Sequence, residues 1–85
     1  MPTQKTNVAI IGIPSFARAI EIQRAIQRSP VVRHVQGLGL EHGRFTIAVE
    51  HDPGVDLSST IAQELRIEIT VTAESEGNLE LGIGG

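Results

Sequence analysis

Residues 7–28 have the sequence NVAIIGIPSFARAIEIQRAIQR, and this stretch decides the fold. Its first part, Val8–Ile13, is a continuous apolar run rich in β-branched side chains, which predicts a strand covered on at least one face. A glycine and Pro14 break the run, and Ser15 is a candidate N-cap because its hydroxyl can accept a hydrogen bond from a free backbone N–H. The apolar positions that follow predict an amphipathic helix, with Phe16 on its apolar stripe.

The rest of the chain contains further apolar patterns separated by turn sequences. They predict strands at residues 31–40, 45–50, 66–73 and 79–83, and a helix at residues 57–65 that begins after the N-cap Asp56. The clean alternation of residues 66–73 predicts a strand with one buried face. The element order, β-α-β-β-α-β with an extra C-terminal strand, is that of the ferredoxin-like sandwich. We therefore expect a single α+β domain over residues 1–85, with an antiparallel sheet and two helices on one face.

The predicted hairpin of residues 31–50 has two unlike faces. A two-residue loop at His42-Gly43 gives a register in which the apolar side chains share one face: Leu38, Leu40, Phe45, Ile47 and Val49. The opposite face then carries small residues: Gly37, Gly39, Thr46 and Ala48. Gln36 falls on the apolar face in this register, so we expect a β-bulge between Val32 and Leu38.

The small residues of this hairpin make it a candidate interaction surface. Gly37, Gly39, Thr46 and Ala48 would let another sheet or a peptide approach the backbone closely. The alternative is an ordinary solvated face. The first strand of the hairpin is also expected to be exposed, which would allow it to pair edge to edge with another strand.

The composition limits the classes of protein to which the chain can belong. An 85-residue chain with two Phe and no Trp or Tyr must build one small, aliphatic core. The chain contains no cysteine, so disulfides, thiolate nucleophiles and thiolate metal sites are excluded. Residues 1–6 are polar, and the apolar run after them is too short for a signal-peptide core or a membrane span. We therefore expect a soluble, cytoplasmic protein without a membrane partner.

Charge is distributed unevenly along the chain, whose net charge is −3. Residues 1–34 carry five basic side chains against one acidic, a net charge of +4, whereas residues 35–85 carry two against nine, a net charge of −7. One interpretation is a set of solvated faces. The other is that the basic first helix, through Arg18 and Arg24, docks on an acidic surface such as that of a second copy, which would give a homodimer. An acidic domain without interleaved aromatic and basic residues is not expected to bind nucleic acid.

Several motifs between residues 8 and 66 together resemble one known family. They are the loop Gly12-Ile13-Pro14-Ser15-Phe16-Ala17-Arg18, Ile26 in the first helix, Val32–Val35, the Gly43 hairpin, Thr46-Ile47-Ala48-Val49 and the helix that ends at Leu65. This pattern resembles the heavy-metal-associated domain, whose loop carries Gly-Met-x-Cys-x-x-Cys. The two Cys positions fall on Ser15 and Arg18, and an arginine repels a cation. The resemblance implies the fold without a soft-metal chelate or cofactor. Because similar Cys-less modules often sit inside larger bacterial regulatory chains, it also implies an interaction role.

The same loop is loosely similar to that of a second family with this fold, the acylphosphatases. Their phosphate-binding arginine would correspond to Arg18, but their catalytic asparagine would fall near Gly39, and their glycine-rich phosphate cradle is missing. The carboxylates Asp52 and Asp56 have structural explanations, since one precedes a Pro-Gly turn and the other caps a helix. We therefore expect no enzyme activity, no catalytic residue and no cofactor-binding residue.

The histidines are weak candidates for a metal site. A two-residue hairpin loop would place His34 nearly opposite His51, and a cross-strand histidine pair can bind zinc or nickel, with Asp52 or Glu50 nearby. Histidines at hairpin ends are more often simple surface residues, and His42 in the turn is expected to point to solvent.

Three functional hypotheses follow from the sequence. The first is a non-enzymatic protein-interaction or regulatory module that binds itself or a larger partner chain. The second is a small-molecule sensor resembling the ACT domain, a family that shares the βαββαβ order and binds amino acids at dimer interfaces. The third, a minor alternative, is metal binding through His34 and His51.

Overall fold

The computed structural model describes residues 3–66 and 68–83, which form two helices and five strands. Their bounds are β1 Gln4–Ile11, α1 Phe16–Gln27, β2 Val32–Glu41, β3 Arg44–His51, α2 Leu57–Leu65, β4 Ile69–Ser75 and β5 Asn78–Ile83. The elements therefore follow one another in the predicted order, and the chain is a small α+β protein.

The five strands form one mixed sheet in the order β2-β3-β1-β5-β4. The first strand, β1, runs antiparallel to β3 and parallel to β5. The expected antiparallel sheet is therefore wrong, because the extra strand β5 lies between β1 and β4 and runs parallel to β1. The reason is burial: β5 brings Leu79 and Leu81 into the core, whereas β4 has no buried residue. A mixed sheet of this kind is compatible with a ferredoxin-like fold.

The core is aliphatic and lies between the helices and one face of the sheet. Its largest completely buried side chains are Val8, Ile10, Ile22, Ile26, Ile47, Val49, Ile61 and Leu81. Helix α1 contributes Ala19, Ile22 and Ile26, which recur at helical spacing. The expectation that Phe16 belongs to this stripe is wrong, because Phe16 is the first residue of α1 and 65% exposed.

Local hydrogen bonds and one backbone conformation mark the end of β1, the starts of α1 and α2, and the end of α2. The Ser15 hydroxyl accepts from the Arg18 N–H at 3.3 Å, and an Asp56 carboxylate oxygen accepts from the Ser59 N–H at 3.5 Å, which confirms both predicted N-caps. The Gly43 carbonyl accepts from two N–H groups just after β1, both at 3.0 Å. Arg66 ends α2 in the left-handed conformation, with φ at 56°. The strand expected from residue 66 therefore begins at Ile69; Ile67 lies outside the described residues.

The β2–β3 hairpin has the predicted loop, but its strand β2 has a different register. His42 and Gly43 both have positive φ, at 51° and 76°, and Glu41 pairs with Arg44, as in a two-residue hairpin loop. Strand β2 contains two irregularities, one between Val32 and His34 and one between Gly37 and Gly39. The first lies within the predicted interval and confirms the bulge, and the second places Gln36 opposite Ala48.

The second irregularity reverses two predicted side-chain directions. Gly37 pairs with Ile47 on the helix-covered face, where an added Cβ would lie 3.0 Å from Oε1 of Gln23. Leu38 is the extra residue, and its side chain is 54% exposed. The expectations that Gly37 lies on the face away from the helices and that Leu38 packs in the core are therefore wrong, because each extra residue reverses the period-two alternation.

Candidate interaction surface

The sheet face that carries no helix, which we call the open face, is the candidate site. It is formed by the residues that alternate with the core positions of β1, β3 and β5, namely Asn7, Ala9, Ile11, Arg44, Thr46, Ala48, Asn78 and Glu80, together with Gln36 and Gly39 of β2. Of the four small residues predicted to lie on this face, the structure brings together Gly39, Thr46 and Ala48.

The middle of the open face carries small side chains, so its surface lies lower than the surface around it. Ala9 and Ala48 are only 7% and 4% exposed, although no helix covers them. Ala9 lies between Thr46 on β3 and Glu80 on β5, so longer neighbouring side chains shield it. A groove of about 240 Å³ runs over Ala9 and reaches Ala73 and Ser75 of β4. The local sequence pattern does not single out Ala9, because only the pairing of β1 with both β3 and β5 places it at the centre.

A polar network crosses the groove and connects strands that are distant in sequence. Nη1 of Arg44 lies 3.3 Å from Oε2 of Glu80, so this ion pair spans β1 from β3 to β5. The Thr72 hydroxyl of β4 donates to Oε1 of the same Glu80 at 2.9 Å. The small side chain of Ala9 in β1 leaves room for these long ones. The order of the strands reveals this network, whereas the local sequence pattern does not.

An apolar side chain projects beside the small residues in the middle of the open face. Leu38 stands on the bulge of β2 and borders a shallow depression that Gly39, Arg44 and Thr46 also line. Ile11 is a second partly exposed apolar residue of the open face. A projecting leucine and a groove of small residues therefore occupy the same side of the molecule.

The predicted basic residues Arg18 and Arg24 do not belong to the open face. Both lie on α1, in the helical layer on the other side of the sheet. Nη1 of Arg18 lies 3.1 Å from Oε2 of Glu21, one turn further along the helix. Arg24 is exposed and borders a groove between the helices together with Arg28 and Glu64. The sequence thus predicted two interaction surfaces that the fold keeps apart.

The two candidate histidine ligands do not face each other. His34 is exposed and pairs with Glu50, whereas His51 pairs with Val32 and is buried. The Nδ1 atom of His51 donates to the Asp52 carbonyl oxygen at 2.8 Å, and in that tautomer Nε2 accepts from the Thr6 hydroxyl at 2.8 Å. The expected His34–His51 cross-strand pair is therefore wrong, because the extra residue Leu38, between Gly37 and Gly39, shifts the register by one and places His34 opposite Glu50.

The carboxylates near His51 are also engaged. Asp52 accepts two hydrogen bonds from the Arg33 guanidinium, at 2.9 and 3.2 Å. Glu50 accepts from the Thr3 hydroxyl at 3.0 Å. Over residues 3–66 and 68–83, no three His, Asp or Glu side chains lie close enough together to hold a metal ion.

Comparisons with known proteins do not assign the chain to a family. No family model, curated protein or solved structure matches it. No helix in the described parts of the chain is long and apolar enough to cross a membrane. The interpretation of the open face therefore depends on its own geometry.

Proposed function

We propose that this chain is a non-enzymatic interaction module whose open face binds a second copy of itself. The observation that carries the proposal is that Leu38 and the groove over Ala9 lie on the same face. In a two-fold dimer the leucine of each copy would enter the groove of the other, because such an interface uses the same patch on both subunits.

We also infer that the fold is a variant of the ferredoxin-like sandwich, similar to the heavy-metal-associated domain without its thiolates. The order β2-β3-β1 with antiparallel pairing supports this assignment. Strand β5 occupies the place beside β1 that the last strand of the six-element plan would take, and β4 is displaced to the edge. We propose a cytoplasmic regulatory role for this module, as a separate protein or as part of a larger bacterial chain.

The size of the open face predicts a weak dimer. Five strands spaced about 4.8 Å apart, each about 23 Å long, give a face of roughly 550 Å². Stable complexes bury about 800 Å² of accessible surface on each partner, so the open face is small for a stable interface, and we expect a dimer that dissociates on dilution. Weak self-association suits a module that exchanges partners.

The test is to replace Leu38 and to compare the result with a matched control. Leu38→Lys should weaken self-association at least about tenfold, because it brings a charge to the groove of the other copy, where the leucine would insert. Phe16→Lys makes the same change at a more exposed apolar residue of the helical layer, and it should leave self-association unchanged. Light scattering and sedimentation, over about a hundredfold range of protein concentration, would measure both variants.

Two outcomes would overturn the proposal. A wild-type chain that stays monomeric at millimolar concentration has no functional self-contact on the open face. Equal weakening by Leu38→Lys and Phe16→Lys would show that the self-contact is not specific to the open face. Circular dichroism and thermal melting of both variants would first establish that each one folds.

A second candidate function is the binding of a small zwitterion such as an amino acid. The groove over Ala9 favours it, because Arg44 and Glu80 supply a cation and a carboxylate side by side for the two charged ends of such a ligand. If this function is correct, one amino acid of a panel should raise the melting temperature of the wild type but not of Arg44→Gln. An unchanged melting temperature across the whole panel would remove this candidate.

A further inference from the structure

The two outer strands of the sheet, β2 and β4, expose their edges in different ways. Strand β2 is irregular at two places, contains Gly37 and Gly39, and packs under helix α1. Bulges are a common way in which proteins prevent unwanted strand pairing. With two irregularities and two glycines, the edge of β2 is a poorer template for strand pairing than that of β4, which has one irregularity, between Val71 and Ala73.

The β4 edge, which we define as the outer side of Ile69–Ser75, is less protected. Over the described residues, β4 has a strand neighbour only on the β5 side, and none of its residues is buried. Its sequence, ITVTAES, has high β-propensity and contains neither Lys nor Pro, the two residue types that most often block an edge. Val71 is 44% exposed there.

The charge around the β4 edge identifies the kind of partner it fits. Residues 67–83 contain four Glu and no Lys, Arg or His. Glu80 is paired with Arg44, whereas Glu68, Glu74 and Glu76 are exposed. Carboxylates along an otherwise uncharged edge attract a cationic strand and repel an anionic one.

A second copy of the chain is a poor occupant of this edge. Antiparallel pairing of two β4 strands about Thr72 would place Glu68 of each copy opposite Glu76 of the other, and like charges directly opposite destabilise a sheet. Strand β4 also has a register shift between Val71 and Ala73. Two folded copies would both have to accommodate this irregularity, whereas a flexible peptide can follow it.

We propose that the β4 edge binds an extended, basic segment of another protein by strand addition. The incoming strand would carry an apolar side chain beside Val71 and Lys or Arg side chains beside Glu74 and Glu76. Main-chain hydrogen bonds to the β4 edge would supply affinity, and the alternating side chains would supply specificity. The β4 edge is a different surface from the open face, so this binding does not depend on self-association.

A peptide titration tests the proposal. The probe is a fluorescent peptide of about seven residues in which valine and lysine alternate, and its anisotropy is measured at low and at moderate salt. The wild type should bind it, and the double variant Glu74→Gln/Glu76→Gln should bind about threefold to tenfold more weakly, with a smaller salt dependence. Glu21→Gln/Glu41→Gln removes the same charge from exposed sites away from β4 and should bind like the wild type.

Amide hydrogen exchange distinguishes strand addition from general attraction between opposite charges. Bound peptide should protect amides of β4 and leave those of β2 unchanged. Protection of β2, no protection at all, or equal weakening by both double variants would overturn the proposal, and so would dimerisation of the free chain through β4. Leu38→Lys should bind the peptide normally, so a failure at the open face and a failure at the β4 edge give different results.

Discussion

Strands β4 and β5 form one hairpin and have similar alternating sequences, yet their environments are opposite. Leu79 and Leu81 of β5 are buried and pair with Val8 and Ile10 of β1, whereas no residue of β4 is buried. The difference shows that alternation predicts a strand but not its place in the sheet. The strand of the hairpin that fills the space beside β1 with larger apolar side chains takes the central position in the sheet.

The largest expected effect separates these two strands by their contribution to the core. Leu81→Ala should lower the free energy of unfolding by about 2–5 kcal/mol, because Leu81 is completely buried and its loss leaves a cavity. Val71→Ala, at an exposed apolar residue of β4, should change it by less than about 0.5 kcal/mol. Urea unfolding measures both variants, and similar losses would show that β4 contributes to the core as much as β5.

This contrast also shows how far the sequence predicts the fold. Local signals identified the element order, the caps Ser15 and Asp56 and the two-residue loop at His42-Gly43, because each depends on neighbouring residues. The central position of β5 depends on pairing with β1, about seventy residues earlier in the chain. No local pattern contains that information, so β5 was expected to be an added strand of an antiparallel sheet.

The candidate site was predicted only in part, for two physical reasons. The positions of Thr46, Ala48 and Gly39 on the open face were predicted correctly, because β3 is regular and the hairpin loop sets their pairing. Gly37 was misplaced, because the extra residue Leu38 reverses the alternation within β2. The ion pair between Arg44 and Glu80 was missed, because it joins strands whose adjacency is visible only in the folded sheet.

A smaller effect is expected at the start of helix α2, which leads into β4 and packs against it. Asp56 accepts hydrogen bonds from the Ser58 and Ser59 hydroxyls and the Ser59 N–H, and these lower the pKa of its carboxyl below the ordinary value of 3.8. Asp56→Ala should cost about 1 kcal/mol at neutral pH. In Asp56→Ala, amide hydrogen exchange should speed up more in β4 than in β5, relative to the wild type.

The pH dependence of this effect has a definite sign. Because the pKa of Asp56 is lower in the folded than in the unfolded chain, its stabilisation is complete above the unfolded value and is lost as the pH falls through the folded value. The stability difference between wild type and Asp56→Ala should therefore shrink below about pH 3.8. Asp56→Asn keeps a cap without a charge, so its difference from Asp56→Ala should not shrink there; parallel curves for all three proteins would contradict this role.

The smallest effect tests what holds the exposed strand β4 to its neighbour. The Thr72 hydroxyl donates to Glu80, at 2.9 Å to Oε1 and at 3.2 Å to the carbonyl oxygen. Thr72→Val keeps the shape of the side chain and removes these hydrogen bonds, so it should cost about 0.5–1 kcal/mol in urea unfolding. Thr60→Val removes a hydroxyl that donates only to the Asp56 carbonyl within α2, and it controls for the loss of an exposed hydroxyl. If amide exchange in β4 becomes faster with Thr72→Val but not with Thr60→Val, the polar contacts across the open face hold β4 to β5. Unchanged exchange would mean that the backbone ladder with β5 is sufficient, and that the outer edge of β4 stays ordered for a partner strand without the Arg44–Glu80–Thr72 network.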